Sequence, residues 1–237
     1  MFNDRRSLYR RNEIDKQQRK TKAALAAEKI EAAIVNCELS PGAVIVEAEL
    51  TEWLGLGRTP VREALMSLAN ANLLRLGKGG VIIPELNALT MLKLLELREP
   101  IEKLCVQKAV NRHTEADHKV FADISERLKS IHDTDRTTFM SILWEIHIAL
   151  SNASHNEFIH SALRTTQGLS RRYWGYFASP TDQTLAREIY IALLNAIILK
   201  DTESAVLQSK KLIRYLRNFT LHYIQEYSDP SSYNFGA

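Results

Sequence analysis

Apolar residues recur at helical spacing over the first third of the chain. In residues 22–36 they alternate with charged positions at intervals of three and four, which is typical of an amphipathic helix. This apolar stripe runs through Leu25, Ile30, Ala33 and Ile34. Pro41 and Gly42 form a turn signal, so the first helix is predicted to end before them.

A short second helix is indicated after this turn. It places Leu50, Trp53 and Leu54 on one face, which we expect to point inward. Gly55 and Gly57 then stop the helix and bound a tight connection.

The third helix opens with Thr59 and Pro60. Proline is tolerated at the first helical position, where its missing N–H has no partner, and the preceding threonine is expected to cap the free amides. Arg58 and Arg62 lie about one turn apart around this opening, while Leu65 falls on the other side. Two short helices joined by a tight turn are typical of a helix-turn-helix, whose second helix enters the major groove of DNA.

The pattern changes twice after the third helix. Two apolar runs, LLRL at 73–76 and VIIP at 81–84, flank a glycine turn and predict a β-hairpin, the wing of a winged helix. From residue 87 onward no strand signal remains. Long helical patterns predict helices at 87–112, 114–132, 135–153, 156–178, 182–200 and 202–228.

These elements predict a mainly α fold with two domains. We expect a winged helix-turn-helix with a small β-hairpin wing at 23–86 and an all-α six-helix bundle at 87–237. Residues 1–22, here called the basic arm, precede both. The arm holds eight basic and three acidic side chains, a net charge of +5 in a chain whose total is +3. Such an arm is typical of nucleic-acid binding, and a solvated tail is the alternative.

The composition of the sequence indicates the cellular compartment of the protein. The start of the sequence has no apolar signal region, and the later apolar runs are too short to span a bilayer. Cys37 and Cys105 are far apart and form no CxxC pair, which fits two buried thiols in a reducing compartment. We therefore expect a cytoplasmic protein with no membrane partner.

The N-terminal run resembles the winged helix of the GntR family of bacterial transcription regulators. The resemblance lies in Pro41-Gly42, the RTPVREAL stretch at 58–65, Leu73-Leu74 and the glycine wing. It implies that DNA is contacted by Arg58, Thr59, Arg62 and, at the wing tip, Gly79. These roles are chemically reasonable, because arginine can donate two hydrogen bonds to guanine and the free backbone N–H groups at a helix N-terminus can bind phosphate.

Two positions depart from the family's pattern. Gly57 stands where the family usually has serine, and Ala48 stands where it often has arginine. Each departure removes one side chain that could contact phosphate or base.

The helical half resembles the FCD ligand-binding domain of the FadR-like branch of this family. Arg98 and Glu102 match the family's first helix, and His147 and Asn156 match its histidine-bearing helix. With the winged helix, the resemblance covers about residues 24–225. It implies a bundle that binds a small-molecule effector and forms a homodimer.

Many FCD domains hold a divalent metal through an Asp, a His four residues later and two further histidines. The corresponding positions here are Leu143, His147, Tyr190, and Leu212 or its neighbour, so only the first histidine remains. We therefore predict no metal and no cofactor. Residues predicted to bind an effector, a partly apolar organic anion, are Arg98, Leu143, His147, Tyr190 and Leu212. The alternative is that these side chains fill the bundle core.

Three functions are distinguished at this stage. We favour a dimeric DNA-binding regulator that recognises a palindromic operator and responds to an effector. A ligand-independent architectural DNA-binding protein is the alternative, with the bundle serving only as a dimer clamp. An enzyme is not expected, since the sequence holds no recognisable nucleophile motif, GxGxxG or P-loop.

Overall fold

The computed structural model describes residues 21–132 and 134–228, in two compact units. The first unit holds residues 21–34 and 38–85, and the second holds 35–37 and 86–228. Elements of the first unit are, in order, α1 (Lys22–Val35), β1 (Val44–Ile45), α2 (Glu47–Leu54), α3 (Arg58–Asn70), β2 (Arg75–Gly77) and β3 (Gly80–Ile82). Residues 1–20 of the basic arm lie outside the described residues, and its last residue, Lys22, begins α1.

The first unit is a winged helix-turn-helix whose wing has three strands. Antiparallel β1 and β2 flank β3, in the order β1-β3-β2, with Val44 opposite Ile82 and Leu76 opposite Val81. The sequence pattern predicted β2 and β3 but not β1, because a two-residue strand is too short to show alternation. The first strand of the hairpin also begins two residues later than the predicted run at 73–76. Leu73 lies ahead of β2 and is buried.

Two apolar side chains of the first unit lie at its surface. Trp53 is 52% exposed, so the prediction that it points inward was wrong, and Leu25 in the apolar stripe of α1 is 42% exposed. Leu50 and Leu54 are buried and already cover the inward face of α2. Trp53 precedes Leu54 by one residue, about 100° around the helix, which turns its ring away from the core.

The start of α3 also differs from the prediction. Gly57 is the N-cap and makes no side-chain cap, so Thr59 is not the capping residue. Pro60 is the third residue of the helix instead of the first. It is tolerated there because the first four N–H groups of a helix have no intrahelical partner.

The second unit is an all-α bundle, as predicted. Its described helices are α4 (Ala88–Arg112), α5 (Glu115–Ser130), α6 (Arg136–Ala153), α7 (Glu157–Phe177), α8 (Pro180–Ile198) and α9 (Thr202–Ser228). Each begins and ends within two residues of its predicted bounds. Capping chemistry explains this agreement: Thr114 and Ser179 form capping boxes with the carboxylates three residues later, and Pro180 opens α8 at its first turn.

Helix α4 is central to the bundle. It packs against α6, α7 and α9, and its buried face includes Leu95, Val106 and Ala109. Aromatic residues Phe121 and Phe139 complete the core from α5 and α6. None of the described helices is long and apolar enough to cross a membrane.

The wing offers a direct stability test at two adjacent glycines. Gly80 has a φ of +136°, and a Cβ there would stand 2.5 Å from the carbonyl oxygen of Ile45. We expect Gly80→Ala to lower the free energy of unfolding by about 1–3 kcal/mol. Urea unfolding followed by circular dichroism measures this change.

Gly79→Ala is the matched control. Apart from its two chain neighbours, no described residue comes within 4 Å of the Cβ position of Gly79, and its φ is outside the left-handed region. This substitution should change the free energy of unfolding by no more than about 0.5 kcal/mol. Equal losses for the two variants would contradict the close approach of β3 to Ile45.

Candidate DNA-binding surface and effector cavity

The N-terminal end of α3 presents basic side chains to solvent. Arg58, Thr59 and Arg62 are all exposed, while Val61 and Leu65 on the opposite face are buried. Within the part of the chain that the structure describes, neither guanidinium makes a hydrogen bond or an ion pair. Both arginines are therefore available to an outside partner.

The wing tip lies in the turn between β2 and β3. Gly79 is exposed there, beside the pair that Gly77 and Gly80 form across the hairpin. Arg75 and Lys78 are exposed on the same hairpin and add positive charge. The sequence analysis did not single out these two cations, although a lysine between wing glycines is a visible signal for phosphate contact.

The five residues predicted to bind an effector line one cavity inside the second unit. Arg98 comes from α4, Leu143 and His147 from α6, Tyr190 from α8 and Leu212 from α9. The remaining lining residues are Ser170, Arg171, Trp174, Ala186, Tyr215 and Leu216. Helical spacing explains part of this convergence, because residues 143 and 147 are four apart and share a face of α6.

A buried ion pair borders the cavity. Arg98 donates to Oε1 of Glu102 from Nε at 3.2 Å and from Nη2 at 2.5 Å, and Gln167 donates to the same oxygen at 3.0 Å. Arg98 is 1% exposed and Glu102 is 4% exposed. Arg171 brings a second buried guanidinium to the cavity. Arg98 and Arg171 thus bring two buried guanidinium groups to the cavity.

His147 is the polar centre of the cavity. Its Nε2 lies 3.0 Å from the hydroxyl of Tyr190, whereas its buried Nδ1 has no hydrogen-bond partner among the described residues. Burial lowers the pKa of His147 well below its ordinary value, and the charges of Arg98 and Arg171 lower it further. Burial also raises the pKa of Tyr190. Both side chains are therefore neutral at physiological pH.

The cavity residues do not fit the metal set of the family. Leu143 and Leu212 carry no lone pairs, and the Tyr190 phenol stays protonated, which leaves His147 as the donor. Among the side chains that the structure describes, no group of three or more His, Cys, Asp and Glu residues could hold a metal ion. His160 lies instead against Ser151, at 2.9 Å. The absence of a metal stays a prediction.

The cavity is nearly filled by its own side chains. Its volume is about 20 Å³, which is room for about one water molecule. Trp174 and Arg171 also line it, whereas Trp144 is 49% exposed on the outside of α6. Ser170 and Tyr215 were missed, since neither occupies a position that the family pattern marks. An organic ligand would require side chains to move.

Comparison with known proteins agrees with this architecture. Residues 93–215 match the FCD domain family, and residues 22–83 match the family described as bacterial regulatory proteins, gntR family. The fatty acid metabolism regulator protein of Yersinia pestis (strain Pestoides F) is 29% identical over 204 residues, which are 77% of this chain and 82% of that protein.

Two further proteins show the same likeness. An uncharacterised HTH-type transcriptional regulator of Bacillus subtilis (strain 168), YdhC, is 28% identical over 65% of this chain and 71% of its own length. The solved structure of McbR/YncC from E. coli superimposes with a TM-score of 0.70 at 22% identity, covering 87% of this chain and 99% of that one. The chain therefore belongs to the gntR family of DNA-binding bacterial transcription regulators and carries an FCD domain as its helical half.

Proposed function

We propose that the protein binds a palindromic operator as a homodimer, and that a small organic anion in the FCD cavity changes this binding. The observation that carries the effector half is the buried Nδ1 of His147, which no described residue satisfies, beside two buried arginines. A buried polar atom without a partner is costly, so a ligand that supplies the missing hydrogen bond is stabilised there.

The DNA half rests on the exposed end of α3 and the wing. Arg58 and Arg62 can reach base edges in the major groove while Thr59 contacts phosphate. Gly79 has no side chain, so the backbone of the wing tip can approach the minor groove. A single recognition helix contacts few bases, and a two-fold dimer on two half-sites raises specificity. The basic arm would add phosphate contacts that are independent of sequence.

The chemistry of the cavity favours an anion with an apolar remainder. Arg98 and Arg171 both line the cavity and His147 beside them is neutral, so a negative group entering the cavity would meet guanidinium donors. Arginine binds carboxylates in a bidentate geometry. Leu143, together with the other apolar lining residues, would contact the rest of the ligand. Recognition would thus be direct, without a metal bridge.

One observation favours the ligand-independent alternative. The cavity volume of about 20 Å³ is too small for an organic molecule without rearrangement. If the side chains never move, the bundle would serve only as a dimer clamp and the DNA affinity would not respond to metabolites. The effector experiment below separates the two functions.

The role of α3 in DNA recognition can be tested at Arg62. Arg62→Ala should weaken specific operator binding by about 1–3 kcal/mol, because it removes a base contact while leaving the fold intact. Lys119→Ala is the control, since it removes one positive charge from an exposed site on α5. Fluorescence anisotropy at fixed salt measures both affinities. Binding by the Arg62 variant as tight as that of the parent would remove Arg62 from the interface.

The second prediction concerns the effector. With an anion that releases the parent from its operator, EDTA should leave the release unchanged, because no metal holds the ligand. Tyr190→Ala should weaken the release, since the phenol lines the cavity and positions His147. Tyr176→Ala, at a half-exposed ring on the same bundle, is the control. If EDTA abolished the release, a metal would be shown to hold the ligand. If no anion released the protein from its operator, the ligand-independent DNA-binding function would be favoured.

The third prediction concerns pH. The pKa of His147 is lowered in the folded protein. At a pH below the ordinary pKa of histidine, the unfolded chain therefore binds a proton at His147 that the folded chain does not. The stability from neutral His147 is therefore present above about pH 6.5 and is lost progressively as the pH falls below that value. Urea unfolding across this range measures the loss.

A variant comparison isolates the histidine. His147→Gln should flatten the pH dependence of stability in this window, whereas His132→Gln, at an exposed position, should leave it as in the parent. Parallel pH profiles for the parent and His147→Gln would show that His147 does not resist protonation in the fold.

A further inference from the structure

A large open cleft lies on the surface of the second unit, between α8 and α9. Its volume is about 960 Å³. Asp182 and Ile189 line it from α8, and Lys211, Phe219 and Tyr223 line it from α9. The cleft is far larger than the buried cavity, and the same two helices contribute to both.

Tyr215 lines both the cleft and the buried cavity. Its hydroxyl accepts a hydrogen bond from Nε1 of Trp174 at 2.7 Å and donates one to Oδ1 of Asp182 at 3.1 Å. Trp174 belongs to the cavity lining and Asp182 to the cleft lining. The hydroxyl therefore connects one residue of each space.

The seam between α8 and α9 forms the wall that separates the two spaces. On α8, Ile189 faces the cleft and the adjacent Tyr190 faces the cavity. On α9, Lys211 faces the cleft and the adjacent Leu212 faces the cavity. Tyr215 is half-buried and occupies this seam.

The two hydrogen bonds hold the phenol in place through well-anchored partners. Asp182 is the third residue of the capping box of α8, where its other carboxylate oxygen accepts from the backbone N–H of Ser179 at 2.9 Å. Trp174 is 4% exposed and packs against Phe139. Neither partner can follow the phenol easily, so moving the phenol breaks both bonds.

We propose that Tyr215 is the gate between the cleft and the buried cavity, and that a ligand reaches Arg98 and His147 when the phenol swings out of the seam. This proposal rests on the proposed function, since it takes the cavity as the effector site. It explains how a cavity of about 20 Å³ can admit an organic anion. The opened gate joins the cavity to the cleft, and the apolar part of the ligand then extends toward Phe219.

Acrylamide quenching of Trp174 tests the gate without any effector or DNA. Trp53 and Trp144 are half-exposed, so Trp53→Phe with Trp144→Phe leaves Trp174 as the reporter, which we call the single-tryptophan protein. Tyr215→Phe in this background keeps the ring and removes both hydrogen bonds. Because each bond stabilises the closed position, the bimolecular quenching constant of Trp174 should rise by about fivefold or more. Fluorescence lifetimes correct for any change in intrinsic emission.

Tyr223→Phe is the matched control. Tyr223 lies two turns further along α9, lines only the cleft of the two spaces, and donates from its hydroxyl to the carbonyl of Phe177 at 2.6 Å. It loses one hydroxyl contact without touching the cavity wall, so its quenching constant should equal that of the single-tryptophan protein. The quenching constant of Trp174 should be higher in Tyr215→Ala than in Tyr215→Phe, because the alanine substitution removes the ring as well.

Two outcomes overturn the proposal. Quenching constants that are equal for the single-tryptophan protein, Tyr215→Phe and Tyr215→Ala would show that Tyr215 does not control access to Trp174. An equal rise in Tyr215→Phe and Tyr223→Phe would indicate general loosening of the bundle. Since quenching requires no effector, a failed gate leaves the proposed function standing, and a failed effector experiment leaves the quenching result interpretable.

Discussion

A buried ion pair between Arg98 and Glu102, on successive turns of α4, holds charge inside the core of the helical unit. A guanidinium that is 1% exposed must be paired inside a bundle, and removing one member of a buried pair typically costs about 3–5 kcal/mol. Gln167 from α7 donates to the same carboxylate, which joins two helices across the core. The pair also influences the chemistry around it, because burial lowers the pKa of His147 and the charges of Arg98 and Arg171 lower it further.

Under the proposed function, the substitutions at the family's metal positions would give this cavity another means of recognition. Leu143 and Leu212 replace donors with apolar surface, and Tyr190 replaces one with a neutral hydroxyl that meets His147. Where a metal would bridge a carboxylate to the protein, arginine can bind the carboxylate directly. Such a site is closed in the absence of ligand, since apolar and aromatic side chains pack to fill space. A closed cavity then requires a movable residue in its wall, which is the role proposed for Tyr215.

Local chemistry made much of the fold predictable from the sequence. Helical patterns located the bundle helices to within two residues, and capping boxes such as that of Ser179 with Asp182 explain where such helices begin. Features that depend on distant contacts were not predictable: β1 forms only because β3 lies beside it, and Trp53 is exposed because Leu50 and Leu54 already cover the core. The cavity residues were found through the family pattern, whereas Tyr215 owes its position to the packing of α8 on α9.

The central claim, that the cavity selects an anion by direct contact with buried arginine, is tested most directly by thermal unfolding of the full chain with matched ligand pairs. Medium-chain carboxylates are compared with primary amides of the same chain length, in the presence of EDTA. A ligand that binds only the folded state raises the melting temperature. The account predicts a rise of about 2–4 °C or more with at least one carboxylate and none with its amide. Equal shifts for acid and amide, or shifts abolished by EDTA, would contradict it.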